Sequence, residues 1–365
     1  MILIFTVVFV ALVFTYINGF HDTANSIATV VATKVLSPRQ AVALAAVTNL
    51  IGAFMGTAVA TTIASGLVDA KIATSEVLIC ALLAAIAWNL LTWWFGLPAS
   101  SSHALVGGLC GACLAAAHNH WTVLVWSIPN HEHWWLSKGI LWKVIVPMIS
   151  SPILGLVIGF LFMGTLYFLL RNWRPTTVNK TFGKLQLFSS AYMGFSHGTN
   201  DAQKTMGIIA LALLGGTSSG AFDHLPGWLF FLRAAPSEAN QPLAIAAWIK
   251  VLCALTMCAG TAVGGWRIIK TLGHKMVRLH PVHGFAAETT AASILFATAH
   301  FGMPVSTTHA ISTSIMGVGC AKGLNHLKWD VVERIVWAWI MTIPASGVLA
   351  YALVKIAQTA GWLPS

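Results

Sequence analysis

The chain has 365 residues, 57% of them hydrophobic and only 8% charged, with a mean hydropathy of +0.78. A soluble domain carries about 25% charged residues, so this composition excludes a soluble globular enzyme, and disorder, collagen and coiled coil fail on the same numbers. The net charge of +10 would point to nucleic acid in a soluble protein. In so apolar a chain the basic residues set membrane orientation instead, and no nucleic-acid partner is expected.

Hydrophobic segments lie near residues 2–33, 40–65, 76–97, 103–118, 140–170, 185–216, 241–266, 284–301, 304–321 and 331–357. At about 20 residues per span they predict an all-α polytopic membrane protein whose main neighbour is the lipid bilayer. The chain is apolar from Ile2 and has neither a basic n-region nor a clean cleavage site. It therefore reads as opening on a first span and not on a removed signal peptide.

The apolar run at residues 2–17 covers roughly 24 Å, short of the roughly 30 Å hydrocarbon core. The first span must continue through Asn18, His21, Asp22 and Asn25. In the sixth segment, residues 196–204 likewise place Asn200, Asp201, Gln203 and Lys204 in mid-segment. A charge at the bilayer centre costs about 2.5–3.5 kcal/mol on insertion scales. Asp22, Asp201 and Lys204 are thus expected to face a protein or water cavity and to mark an ion or substrate path. A plainer alternative is a charge pair that locks two helices. The Gly and Asn residues around each Asp suit unwound backbone lining a cavity.

The fourth and ninth segments open on related motifs, Pro98–His103 and Pro304–His309. Pro fits the first turn of a helix and a following hydroxyl can cap it, so each motif reads as a helix start at a chain reversal inside the membrane. A helix N-terminus favours an anion, and Ser100, Ser101, Ser102, Ser306, Thr307 and Thr308 add hydroxyls. Capping and small-residue packing alone would also explain them. Glu288 is a third intramembrane carboxylate, either a cation or proton site or a group near the cytoplasmic interface. His103 and His309 could carry protons or hydrogen-bond within the bundle.

The tract 118–138 holds Trp121, Trp126, Trp134 and Trp135 and reads as an interfacial aromatic belt. The six cysteines, Cys80, Cys110, Cys113, Cys253, Cys258 and Cys320, all lie in apolar stretches. They serve as small apolar residues, and no disulfide framework, cofactor or fixed metal is expected. One set of loops carries thirteen Lys and Arg residues and the other six. The positive-inside rule puts the first set in the cytoplasm and both termini outside.

The sequence also matches itself. Residues 95–104 and 301–310 share six of ten positions at an offset of 206. Residues 56–59 match 260–263 at an offset of 204, and residues 19–22 match 198–201 at an offset of 179. A unit of five spans is odd, so the second copy enters from the opposite side. This is an inverted-topology repeat with broken or re-entrant segments, a signature of secondary transporters. Residues 1–170 form the first repeat, 171–184 a basic cytoplasmic linker and 185–365 the second repeat.

These residues resemble the inorganic phosphate transporter (PiT) family of secondary carriers. The resemblance rests on Gly19 to Asn25, His197 to Asp201 and the two Pro-to-His motifs, and it spans nearly the whole chain. It implies symport of phosphate with a cation. The bacterial branch most similar to this chain implies low-affinity, proton-driven carriage of a neutral divalent metal–hydrogen phosphate complex across the plasma membrane, and family analogy adds a homodimer. Asp22 and Asp201 would bind or relay the coupling cation, with transient metal–phosphate contact, beside Asn25, His21 and Glu288. Asn200, Gln203, Lys204 and the Ser/Thr groups would hold phosphate. His21 and Lys204 stand where many members have Asn. A fixed ammonium repels sodium and His titrates near neutral pH, which favours protons. Alternatives are a sulfate permease of the same fold, sodium coupling, a channel, and an intramembrane hydrolase. The buried carboxylates disfavour sulfate, which has no proton to donate. The symmetric duplication of every candidate group disfavours a hydrolase, which needs an activated nucleophile.

Overall fold

The computed structural model describes residues 2–130, 133, 137–223, 226–233 and 244–363. Trp134 and Trp135 lie outside the described residues. The first half comprises α1 (Ile2–Ala32), α2 (Pro38–Ala53), α3 (Ala58–Ser65), α4 (Ser75–Phe95), α5 (Ser101–Ala116) and α6 (Val146–Leu170). The second comprises α7 (Pro175–Ser218), α8 (Ala247–Val263), α9 (Trp266–Lys270), α10 (Pro281–His300), α11 (Thr307–Lys322) and α12 (Trp329–Thr359). Among the described residues there are no strands, only isolated bridges such as Val68 to Leu124. Among the described residues four stretches are long and apolar enough to cross a bilayer: α1, α4, Leu141–Leu170 and α12. The pairs α2–α3 and α8–α9 pass the same test together, bent by 67° and 57°.

Packing repeats between the halves. Helix α1 packs on α8 as α2 packs on α7, α5 on α12 as α11 on α6, and α4 on α5 as α10 on α11. The turns agree: Gly96 after α4 and Gly302 after α10 both have φ +65°, a conformation that costs glycine little. The 56–59 and 260–263 match does not survive as a structural correspondence. Gly56 sits in the break after α2 with φ +82°, whereas Gly260 is inside α8. The residue in the equivalent break is Gly264, with φ +76°.

The backbone around the two aspartates is not unwound. Helix α1 runs unbroken through residues 18–25, and α7, 44 residues long, runs through residues 196–204. The breaks fall instead in the neighbouring pairs α2–α3 and α8–α9. The glycines beside the aspartates serve helix approach: a Cβ on Gly19 would meet the Met257 carbonyl at 2.7 Å, and one on Gly198 would meet the Asn49 backbone. Small residues let helix backbones come this close. Residues 175–184, expected as a linker, are the first turns of α7.

Two apolar clusters sandwich the polar residues. Along α1, one cluster extends to Phe14 and the other begins at Ala24. Asn18, His21 and Asp22 fall in the gap and are buried.

Candidate functional site

The site forms where α1 and α7 bring their polar turns together. Asp22 and Asn25 are three residues apart on α1, and Asp201 and Lys204 three apart on α7, so each pair shares a helix face. Asp22, His197 and Asp201 each present one ligand atom, and these lie within 4.8 Å of one another. Asp22, Asp201 and Lys204 are at most 2% exposed, so their charges must be satisfied by protein or by what the site binds.

Each carboxylate has an imidazole beside it. His21 Nδ1 is 2.8 Å from Asp22 Oδ1, and its Nε2 is 3.1 Å from the Thr92 hydroxyl. His197 Nε2 is 3.3 Å from Asp201 Oδ2, yet neither atom makes an aligned hydrogen bond. The other nitrogen of His197 is hydrogen-bonded to Asn49 Oδ1 at 3.0 Å, and Asn49 donates to Thr261. The Lys204 ammonium is ion-paired with Asp201 Oδ1.

The starts of α5 and α11 close on the same region. Ser100 and Ser306 are the N-caps, each accepting from the backbone N–H of the histidine three residues on. The two starts also exchange hydrogen bonds. Ser102 donates to the Val305 carbonyl at 3.2 Å, and Thr308 donates to the Ala99 carbonyl at 2.8 Å. Both donors and both acceptors are related by the 206-residue offset. Asn25 reaches across from α1 and donates to Thr307 (3.1 Å) and Thr308 (2.9 Å). The Ser101 hydroxyl and both amide atoms of Asn200 are buried without a hydrogen-bond partner.

The His103 and His309 rings meet edge to face at 4.8 Å, and Trp339 lies over His309 at 4.1 Å. Trp339 itself donates to the Pro98 carbonyl, which ties α12 to the start of α5.

Two expected members stand apart. Gln203 accepts from Val59 N at 2.9 Å and donates to the Met55 and Thr199 carbonyls. Its amide holds the α2–α3 break, and none of these hydrogen bonds goes to the cluster. Glu288, on α10, sits in a separate fully buried nest. It accepts from Gln186 at 3.0 Å and from the hydroxyls of Thr29 and Ser189.

Sequence reasoning missed His197, Asn49, Thr29, Gln186 and Ser189 as site members. His197 was detectable, since it precedes Asp201 by one helical turn. Thr29, Ser189 and Gln186 sit about one, two and three turns from the polar motifs, and nothing local distinguishes them from helix surface polars.

Apolar helices that enclose paired carboxylates, imidazoles and an ammonium are the construction of a membrane-embedded transporter. The chain belongs to the Phosphate transporter family, whose model matches residues 18–350. It is 40% identical to a probable low-affinity inorganic phosphate transporter of Bacillus subtilis (strain 168), over 98% of each chain. It is also 40% identical to a protein of the same description from Rhizobium meliloti (strain 1021), over 93% of this chain and 92% of that one. A solved structure described as the sodium-dependent phosphate transporter shares the fold, with a TM-score of 0.80 at 22% identity, over 98% of this chain and 100% of the other. The protein is thus a multi-pass phosphate transporter.

Proposed function

We propose that the chain imports phosphate by symport with protons, the phosphate travelling as a neutral complex of a divalent metal with hydrogen phosphate. The observation that carries this reading is the imidazole beside each buried carboxylate, His21 at Asp22 and His197 at Asp201. An imidazole against a carboxylate places a proton donor and a proton acceptor side by side. A hydrogen phosphate has a proton to donate to such carboxylates, and sulfate has none. The substrate sits between the starts of α5 and α11, where the hydroxyls of Ser101 and Thr307 and the helix N-termini face it, while Ser102 and Thr308 tie the two starts together. The metal is cargo, touching Asp22 and Asp201 in transit. Glu288 binds or relays a cation on the way.

The paired packing of the halves supports an inverted repeat, with the second half entering from the opposite face and alternating access around the shared site. The distribution of Lys and Arg supports an orientation with both termini outside a bacterial plasma membrane. Sodium coupling is the second reading. It is favoured by the description of the fold neighbour as sodium-dependent.

The test is uptake of labelled phosphate by proteoliposomes with pH and sodium gradients set independently, with and without magnesium. Uptake that follows an inward proton gradient and rises with magnesium supports the proton reading. Uptake that needs sodium and ignores pH replaces it with the second. Sulfate uptake without phosphate uptake overturns the substrate assignment.

A further inference from the structure

The two halves differ in charge three residues after each aspartate. Asn25 follows Asp22 by three residues, and Lys204 follows Asp201 by three, at the same offset of 179. Asn25 reaches the start of α11 and donates to Thr307 and Thr308. Exchange of the halves would send Lys204 to the start of α5, where Ser101 and Ser102 occupy the related positions. Lys204 turns to Asp201 instead, and the Ser101 hydroxyl stays buried without a partner.

The charges follow from this. Asp22 and Asp201 bring two negative charges to one point, and Lys204 returns one positive charge. All three groups are shut away from solvent. Two carboxylates this close in low dielectric stay ionised together only with positive charge nearby; otherwise one takes up a proton. At Asp201 the chain supplies that charge itself, on a stem that cannot leave the protein. The other titratable groups facing the cluster are the imidazoles of His21 and His197 beside the carboxylates and of His103, which feels the Lys204 charge from the start of α5; none of them is a fixed charge.

We propose that the Lys204 ammonium is a tethered stand-in for one coupling cation, so that each phosphate is carried with one positive charge fewer than the two carboxylates alone would demand. The proposal rests on the symport reading above and deepens it by assigning the two halves unequal roles. The half that carries Asp22 exchanges its cation with solution in each cycle, and the half that carries Asp201 keeps its own. A salt bridge that only locks α7 would stabilise the fold equally well, and would leave ion demand unchanged when removed.

The experiment compares wild type with Lys204→Asn, which restores the residue found at Asn25. Sodium binding to the purified protein with phosphate present is measured by calorimetry. The charge moved per phosphate is read from reversal potentials in proteoliposomes. Lys204→Asn is expected to bind sodium where wild type does not, and to carry one more positive charge per phosphate. Lys204→Arg keeps the charge and is expected to bind no sodium and to keep the wild-type charge ratio in whatever uptake remains. A folded Lys204→Asn that neither binds sodium nor changes the charge ratio overturns the proposal, as does wild type that binds sodium as well as the variant. Lys204→Gln replaces Lys204→Asn if the latter elutes as an aggregate. If neither neutral variant folds, the ammonium is a structural lock and the proposal falls. Wild type that takes up no phosphate defeats the symport reading, while the sodium-binding comparison still decides the role of Lys204.

Discussion

Asp22 and Asp201, one from each half of the chain, bring carboxylate oxygens within 4.8 Å of one another, but only Asp201 is neutralised by a lysine. The two aspartates therefore differ in what their removal leaves behind. Asp201→Asn strands a buried ammonium, and breaking a buried pair in this way costs about 3–5 kcal/mol. Asp22→Asn strands no fixed charge. Both variants are expected to lose phosphate uptake, but only Asp201→Asn should unfold at a markedly lower temperature in detergent. Adding Lys204→Met to it should recover most of the loss. Equal melting of the two single variants would sink the assignment.

The crossed hydrogen bonds between the starts of α5 and α11 predict matched effects. Ser102→Ala and Thr308→Val each leave one buried carbonyl without its donor, those of Val305 and Ala99 respectively. Each should cost about 1–3 kcal/mol, and the two costs should agree. Thermal unfolding of the two variants side by side makes the comparison. Thr308→Val should also weaken phosphate uptake further, because it removes an acceptor for Asn25.

Glu288 is held by Thr29, Gln186 and Ser189 and touches none of the Asp22–Asp201 cluster among its hydrogen bonds. Glu288→Gln keeps the shape and removes the charge. The expected result is a rise of about tenfold or more in the half-saturating concentration of the driving cation, equivalent to about 1.4 kcal/mol, with the KM for phosphate little changed. A shift confined to phosphate KM would place Glu288 in the anion site.

Gly198 shows why a helix needs a glycine beside Asp201. Any Cβ there runs into the main chain of Asn49, the residue that holds His197. Gly198→Val should destabilise the fold by about 1–3 kcal/mol through overpacking and should abolish uptake. A Cβ on Gly164 of α6 would meet nothing within 4 Å, and Gly164→Val is the control expected to melt and transport as wild type.

Composition and hydrophobic length alone determined a great deal. Residues 2–17 are too short to cross a bilayer, which forces Asp22 to membrane depth, and the same argument buries Asp201 and Lys204. The Pro-to-His motifs were legible as helix starts because capping is local: Ser100 and Ser306 bond to N–H groups three residues away. The match of residues 95–104 with 301–310 agrees with the paired helix starts, whereas the match at residues 56–59 is misaligned, since a short run of small residues has little information.

Tertiary structure alone decided the rest. Gly19 and Gly198 looked like helix breakers, because a sequence does not reveal what backbone lies opposite. The structure shows continuous helices whose glycines admit the Met257 carbonyl and the Asn49 main chain. Gln203 has the composition of a ligand, but its amide is consumed by the α2–α3 break. Glu288 acquires Thr29, Gln186 and Ser189 from two other helices. Partners more than 90 residues apart in the chain leave no local pattern, since helix periodicity records which face is buried and not which side chain of another helix it will meet.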